Sequence, residues 1–119
     1  MADGKRLPLS ALVDARDYAA LEERLAAIKL GELVEVWPSL EAMPRLVCFK
    51  LLDATRALEL YELLPFLSKY ELLCAFSLQS IAPVLEPLGI VERQRFVTLP
   101  RDFYDRMFRL LVAEQAASR

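Results

Sequence analysis

Residues 33–52, LVEVWPSLEAMPRLVCFKLL, and residues 57–76, ALELYELLPFLSKYELLCAF, are joined by the connector DATR and superimpose without a gap at an offset of 24 residues. The offset continues into the following segment. Leu40, Leu64 and Leu88 fall in one column, Trp37, Tyr61 and Leu85 in another, Val36, Leu60 and Val84 in a third, and Leu33, Ala57 and Ile81 in a fourth. These columns describe one helical face. Cys48, Leu72 and Phe96, then Phe49, Leu73 and Val97, then Leu51, Ala75 and Leu99 describe a second. A fixed period of this length marks a chain built from repeated supersecondary units.

Each unit reads as two helices of about ten residues joined by a tight turn, with apolar residues at the i, i+3, i+4, i+7 spacing of a one-sided helix. Helices this short are marginal alone in water, so their stability must come from stacking one apolar face on the next. The breakpoints agree. Asp53 and Ser77 share a column and are N-cap residues for helices beginning near Ala54 and Leu78, because a side-chain oxygen can accept from a free backbone N–H. Pro38, Pro65 and Gly89 fall at the turns between paired helices, where a lost donor or a left-handed conformation is tolerated. Pro83 fits in the first turn of a helix capped around Ser80, and otherwise kinks that helix.

Residues 7–28 form a degenerate leading unit, with Leu9, Leu12 and Val13 on one helix and Leu21, Leu25 and Ile28 on a second capped by Asp17. Repeats follow at 29–52, 53–76 and 77–100. Residues 101–119 supply a terminal helix, opened by Pro100, with an apolar stripe of Phe103, Met107, Leu110 and Leu111 and a polar tail, Glu114 to Arg119, expected to fray. The fold expected is all-α, a right-handed or mixed-handed α-solenoid: a superhelix of about nine short helices forming a single helical-repeat domain.

Composition narrows the function. At 119 residues the chain can bury roughly 65 per cent of its unfolded surface, enough for one core. Hydrophobic residues make up 55%, yet charge interrupts every apolar run before the ~20 residues of a membrane span. No apolar signal core follows Met1–Arg6, so a cytoplasmic protein without direct membrane insertion is expected. Fifteen basic and 17 acidic residues give a net charge of −2, which offers no field for nucleic acid. With no histidine, the commonest neutral-pH acid/base and transition-metal ligand is missing. Cys48 and Cys74 are too far apart for a metal knuckle. Cys48 shares a column with Leu72 and Phe96 and should be buried; Cys74 shares one with Lys50 and Thr98 and should be more exposed. Gly4, Gly31 and Gly89 are too scattered for a phosphate loop.

The two quoted units and their DATR connector resemble the cytosolic N-terminal domain of MgtE-type magnesium transporters, a superhelix of short helices shared in looser form with the flagellar switch protein FliG. The likeness runs from about Asp17 (DYAALEERLAAI) through the Pro-Arg-Asp-Phe-Tyr helix. It implies a non-enzymatic regulatory module acting through protein–protein or interdomain contacts, with magnesium held between acidic surfaces. This chain lacks the CBS pair and transmembrane segments of those transporters, and apolar or basic turns such as Pro65-Phe66-Leu67 replace some of their proline-and-glutamate turns. The alternative is a FliG-like scaffold or adaptor unrelated to magnesium, holding a partner helix in a groove. An enzyme whose site is completed by another chain is a third reading.

Several residues carry the candidate sites. Glu35 and Glu59 share a column, as do Glu62 and Glu86, placing carboxylates along one side where hydrated Mg²⁺ could bind weakly; a solvated helix face is the simpler explanation. Arg45, Lys69 and Arg93 recur near the start of each second helix, where positive charge opposes the helix dipole and demands a compensating partner. Neighbouring glutamates or an acidic protein would serve. Phe66, Leu67 and Tyr70, at the turn of the second unit, are candidate partner anchors if they project outward; ordinary packing between repeats is the simpler reading. Trp37 and Tyr61 read as core rather than a base-stacking platform. Asp102 and Asp105 read as first-turn acids that suit the dipole, since acid/base catalysis needs opposed carboxylates with separated pKa values.

Overall fold

Helix starts follow the side-chain chemistry of the caps. The Asp53 carboxylate accepts from the Arg56 N–H at 2.9 Å and opens α5 (Ala54–Leu63), and the Asp17 carboxylate accepts from the Ala20 N–H at 3.2 Å and opens α2 (Tyr18–Ala27). Pro65 and Gly89 occupy the N-cap positions of α6 (Phe66–Cys74) and α8 (Ile90–Gln94) without a side-chain bond. Gly89 has φ −74°, so it needs no left-handed conformation there.

The computed structural model describes residues 9–75, 78–96 and 102–117. Ser77, Val97, Leu99 and Pro100 lie outside the described residues. Those described form only helices and turns: α1 (Leu9–Asp14), α2, α3 (Leu30–Val36), a 3₁₀ turn (Trp37–Ser39), α4 (Ala42–Leu51), α5, α6, α7 (Leu78–Leu85), α8 and α9 (Phe103–Ala117). The helix pairs α3/α4, α5/α6 and α7/α8 fall in the three 24-residue units. The chain is all-α.

How the pairs assemble differs from an open superhelix. α2 packs on α4 and α3 on α5, as stacked units would, but α4 also meets α1 and α7, and α9 turns back onto α5 and α6. The first unit touches the last. Tyr18 meets Phe96 edge to face with ring centroids 5.2 Å apart, and Arg95 Nη1 donates to Glu22 Oε1 at 2.6 Å. The result is a compact globule of 44 × 36 × 22 Å with a radius of gyration of 14.4 Å, near the roughly 13.5 Å of a compact chain this long.

The core runs through α4. From Leu46 to Leu52 every residue is buried, including Lys50, as befits a helix apolar on nearly all sides. Lys50 shares its repeat column with Cys74, yet Cys74 is exposed, because neighbours enclose α4 on sides that α6 leaves open. Burial pulls the Lys50 ammonium below its ordinary pKa. The column of Leu33, Ala57 and Ile81 is buried throughout, as are Trp37 and Tyr61. Val36 departs from its column and is exposed, because the chain turns there into the 3₁₀ segment.

Two other expectations change. Pro83 lies inside α7, well past its first turn; it withholds the N–H that would bond the carbonyl four residues back, and the helix ends soon after. Glu114 does not fray: α9 continues to Ala117, and Lys69 Nζ lies 2.6 Å from Glu114 Oε2. On the opposite face of α9 from solvent, Phe103, Met107 and Leu111 are buried, Phe103 against Phe49 and Met107 O accepting from Tyr61 Oη at 3.0 Å.

α1 ends in a six-to-one closure, with Asp17 N–H bonded to Leu12 O at 3.1 Å and Arg16 N–H to Val13 O at 3.0 Å. Arg16 holds φ 58°, the left-handed conformation that glycine adopts without steric cost. An L side chain there costs roughly 1–2 kcal/mol, partly offset in a glycine variant by its freer unfolded chain. Arg16→Gly is expected to raise unfolding stability by about 1 kcal/mol, measured by urea denaturation with an unchanged m-value.

Candidate functional site: a groove between two repeat units

Arg45 organises the site. It stands in the first turns of α4, and its guanidinium reaches back to the end of the preceding helix: Nε donates to Trp37 O at 3.1 Å and Nη2 to Pro38 O at 3.2 Å. Free carbonyls at a helix C-terminus carry the negative end of the dipole, so the charge that is misplaced for α4 is well placed for the turn before it. Nη1 then donates to Glu71 Oε2 of α6 at 2.9 Å, tying unit 29–52 to unit 53–76.

Arg93 repeats the arrangement one unit-pair later, with Nε bonded to Leu88 O at 2.9 Å and Nη2 to Glu86 O at 2.8 Å. Lys69 occupies the same column but carries a single ammonium and cannot fork across two carbonyls. It is buried instead, 2.6 Å from Glu114 Oε2 and 5.9 Å from the Tyr61 ring centroid. Each member of the basic column therefore has a compensating group within the chain.

Between α4 and α6 lies a groove of about 620 Å³, within the range of ligand and side-chain pockets. Trp37, Leu46 and Leu72 supply apolar wall, and the Arg45–Glu71 pair crosses it. Ala42 and Ala75 also line it; their methyl groups leave the volume that a larger residue would fill. Trp37 Nε1 is buried without a hydrogen-bond acceptor, an arrangement that leaves a donor unsatisfied at a cost of about 1–3 kcal/mol.

The predicted aromatic patch divides at this groove. Phe66 packs against the core, whereas Leu67 is 72% exposed and Tyr70 52% exposed. Tyr70 lines the groove, as does the exposed Cys74. The sequence offered Leu67 and Tyr70 as candidate anchors and a groove as the adaptor's site, but did not say which helices form that groove. The paired alanines on separate units were its only signal.

The acidic residues do not converge. Glu35, Glu59, Glu62 and Glu86 are all exposed. Glu59 and Glu62 line a cleft of about 280 Å³ together with Arg106 of α9, so a cation is already opposite them. Among the described residues no group of three or more Asp, Glu, Cys or His side chains could hold a metal ion. Asp102 pairs with Arg106 at 3.1 Å and Asp105 sits in the first turn of α9, which is the dipole-favoured placement. A second staple, Arg56, donates through Nη2 to Leu25 O at 2.8 Å and Ile28 O at 2.6 Å.

No protein-family model, curated protein or solved structure compared with the chain matches it. Among the described residues no helix is long and apolar enough to cross a membrane.

The two thiols and Tyr61 give a direct test of this geometry. Burial pushes the Cys48 thiol up to about 12, and burial followed by the Glu114 carboxylate pushes the Tyr61 hydroxyl up to about 12. Since the thiolate is the nucleophile, a maleimide should label one thiol per native chain, at Cys74, and both in denaturant. Both raised groups keep their protons longer in the folded state than in the unfolded one. Between their ordinary values of 9.0 and 10.0 and about 12, the unfolded chain has already released protons, so rising pH favours unfolding. Thermal stability should fall progressively above about pH 9, and Cys48→Ala should flatten the first part of that fall.

Proposed function

We propose that this chain is a non-enzymatic interaction module that docks an amphipathic helical segment of another protein in the groove between α4 and α6. The observation that carries this reading is the combination of an apolar groove with the exposed Tyr70 in its lining and the exposed Leu67 three residues before it on α6. Exposed aromatic and leucine side chains beside a pocket are the usual form of a helix-in-groove site. Charge selects the partner. Arg45 is neutralised by carbonyls and by Glu71, while Glu71 stays largely exposed and Glu41 is exposed beside the groove residue Ala42. The segment that fits is apolar on one face and basic at its flanks.

This reading is compatible with the regulatory role implied by the likeness to the MgtE-type cytosolic domain, and equally with a FliG-like adaptor. Magnesium dependence separates the two. In the first case Mg²⁺ would act at Glu59 and Glu62, in the cleft that they line together with Arg106.

The test uses a synthetic amphipathic leucine–lysine helix of about four turns, with a leucine–glutamate helix of equal length as control. Trp37 is the only tryptophan and lines the groove, so its fluorescence reports occupancy, and Cys74 should be shielded from maleimide. Binding in the micromolar range is expected, weakened about tenfold in Leu67→Ser or Tyr70→Ser and reduced by salt. Absence of binding, or equal binding of the glutamate peptide, overturns the reading. Repeating the titration with Mg²⁺ at matched ionic strength tests the regulatory form, whose effect should vanish in Glu59→Gln with Glu62→Gln.

A further inference from the structure

α9 carries two apolar stripes, one buried in the core and one exposed. Phe103, Met107 and Leu111 enter the core, while Tyr104, Phe108 and Val112, at i, i+4 and i+8, remain 42%, 49% and 45% exposed. At 15 residues the helix is about 22 Å long, and the second stripe runs along most of it. We propose that a second copy of this chain packs across this ridge, forming a two-fold dimer through antiparallel α9 helices.

Three observations select a second copy as the occupant. First, a ridge of residues four apart is the element that interdigitates with the same ridge on an identical helix, crossing at roughly −50°. The ridge is evenly spaced about Phe108, so a two-fold axis there sets Phe108 against Phe108 and Tyr104 against Val112. Such an isologous contact closes on itself.

Second, the flanking charges are self-complementary. Asp105 and Arg109 are both exposed and lie one turn apart on the same edge of the ridge. Antiparallel packing keeps the two copies' charged edges on one side of the contact with their order reversed. Asp105 of one copy then lies about 3 Å along the axis from Arg109 of the other. Parallel packing would carry the two edges to opposite sides and lose both pairs. The charges thus choose the orientation as well as the partner.

Third, the chain's net charge of −2 produces little repulsion between copies. The contact is modest. The exposed parts of the three ridge side chains amount to roughly 250 Å² per copy, and with their flanks they reach the low end of specific interfaces. A dimer that assembles at micromolar concentrations and dissociates on dilution is the expected behaviour.

Sedimentation of the full chain over a hundredfold concentration range should show mass rising from 13.6 kDa toward twice that value. Phe108→Glu should stay monomeric throughout with its thermal unfolding unchanged. Arg109→Glu should weaken the dimer at least fivefold by opposing like charges, and adding Asp105→Arg to it should restore assembly. A chain that stays monomeric at the highest concentration overturns the proposal. So does a dimer indifferent to Phe108→Glu, or one that the double charge swap fails to rescue. Because the groove lies between α4 and α6, peptide binding by Phe108→Glu should match the parent, so the two readings fail separately.

Discussion

The enclosure of α4 is the constraint on which the rest of the structure depends. A helix whose residues 46–52 are all buried cannot lie on the outside of a stack; it needs cover on every side. α1, α2 and α7 provide that cover, and bringing α1 and α7 to the same helix forces the first and last units together. The Tyr18–Phe96 and Glu22–Arg95 contacts follow from that closure. A chain of equivalent units has thereby acquired an inside unit and outside units, although its period treats them alike.

That difference explains what could be read from the sequence. Helix pairs, their caps at Asp17 and Asp53, and the buried column of Leu33, Ala57 and Ile81 depend on interactions within a few residues or on a face that every unit buries. Periodicity reports both. Lys50 and Glu114 depart from their expected surroundings because these come from elements distant in sequence, and Val36 because a local turn breaks its helix. Lys50 is shut in by the packing around α4, Val36 is released by the 3₁₀ turn, and Glu114 is held by a lysine 45 residues away. The place of the groove was illegible for a similar reason. It is defined by volume that Ala42 and Ala75 leave empty, and a missing side chain has no periodicity.

The basic column shows how one repeated position can serve two tasks. Arg45 and Arg93 use their planar fork to bond carbonyls at the end of the preceding helix, converting an unfavourable dipole contact into a turn staple. Where lysine replaces arginine the staple is lost, and the charge instead fixes α9 to the body of the protein through Glu114. Substitution within a repeat column has therefore redirected an interaction rather than weakened it. The exposed Leu67 and Tyr70 sit beside this redirected position, on a helix whose inner face is committed to α9.

The bond from Tyr61 to Met107 closes a loop of 46 residues, and the Lys69–Glu114 pair one of 45. During synthesis the chain emerges from its N-terminus, so units 29–52 and 53–76 appear before the helix that covers them. Until α9 has emerged, Tyr61, Lys69 and part of the Phe49 surface face water, and the lysine stands without its carboxylate. Local helix pairs can form early, because their contacts are near in sequence, whereas the final packing must wait for loop closure. α9 thus acts as a timing element, and the fold reaches its full cooperativity only when this helix has followed the units that it covers.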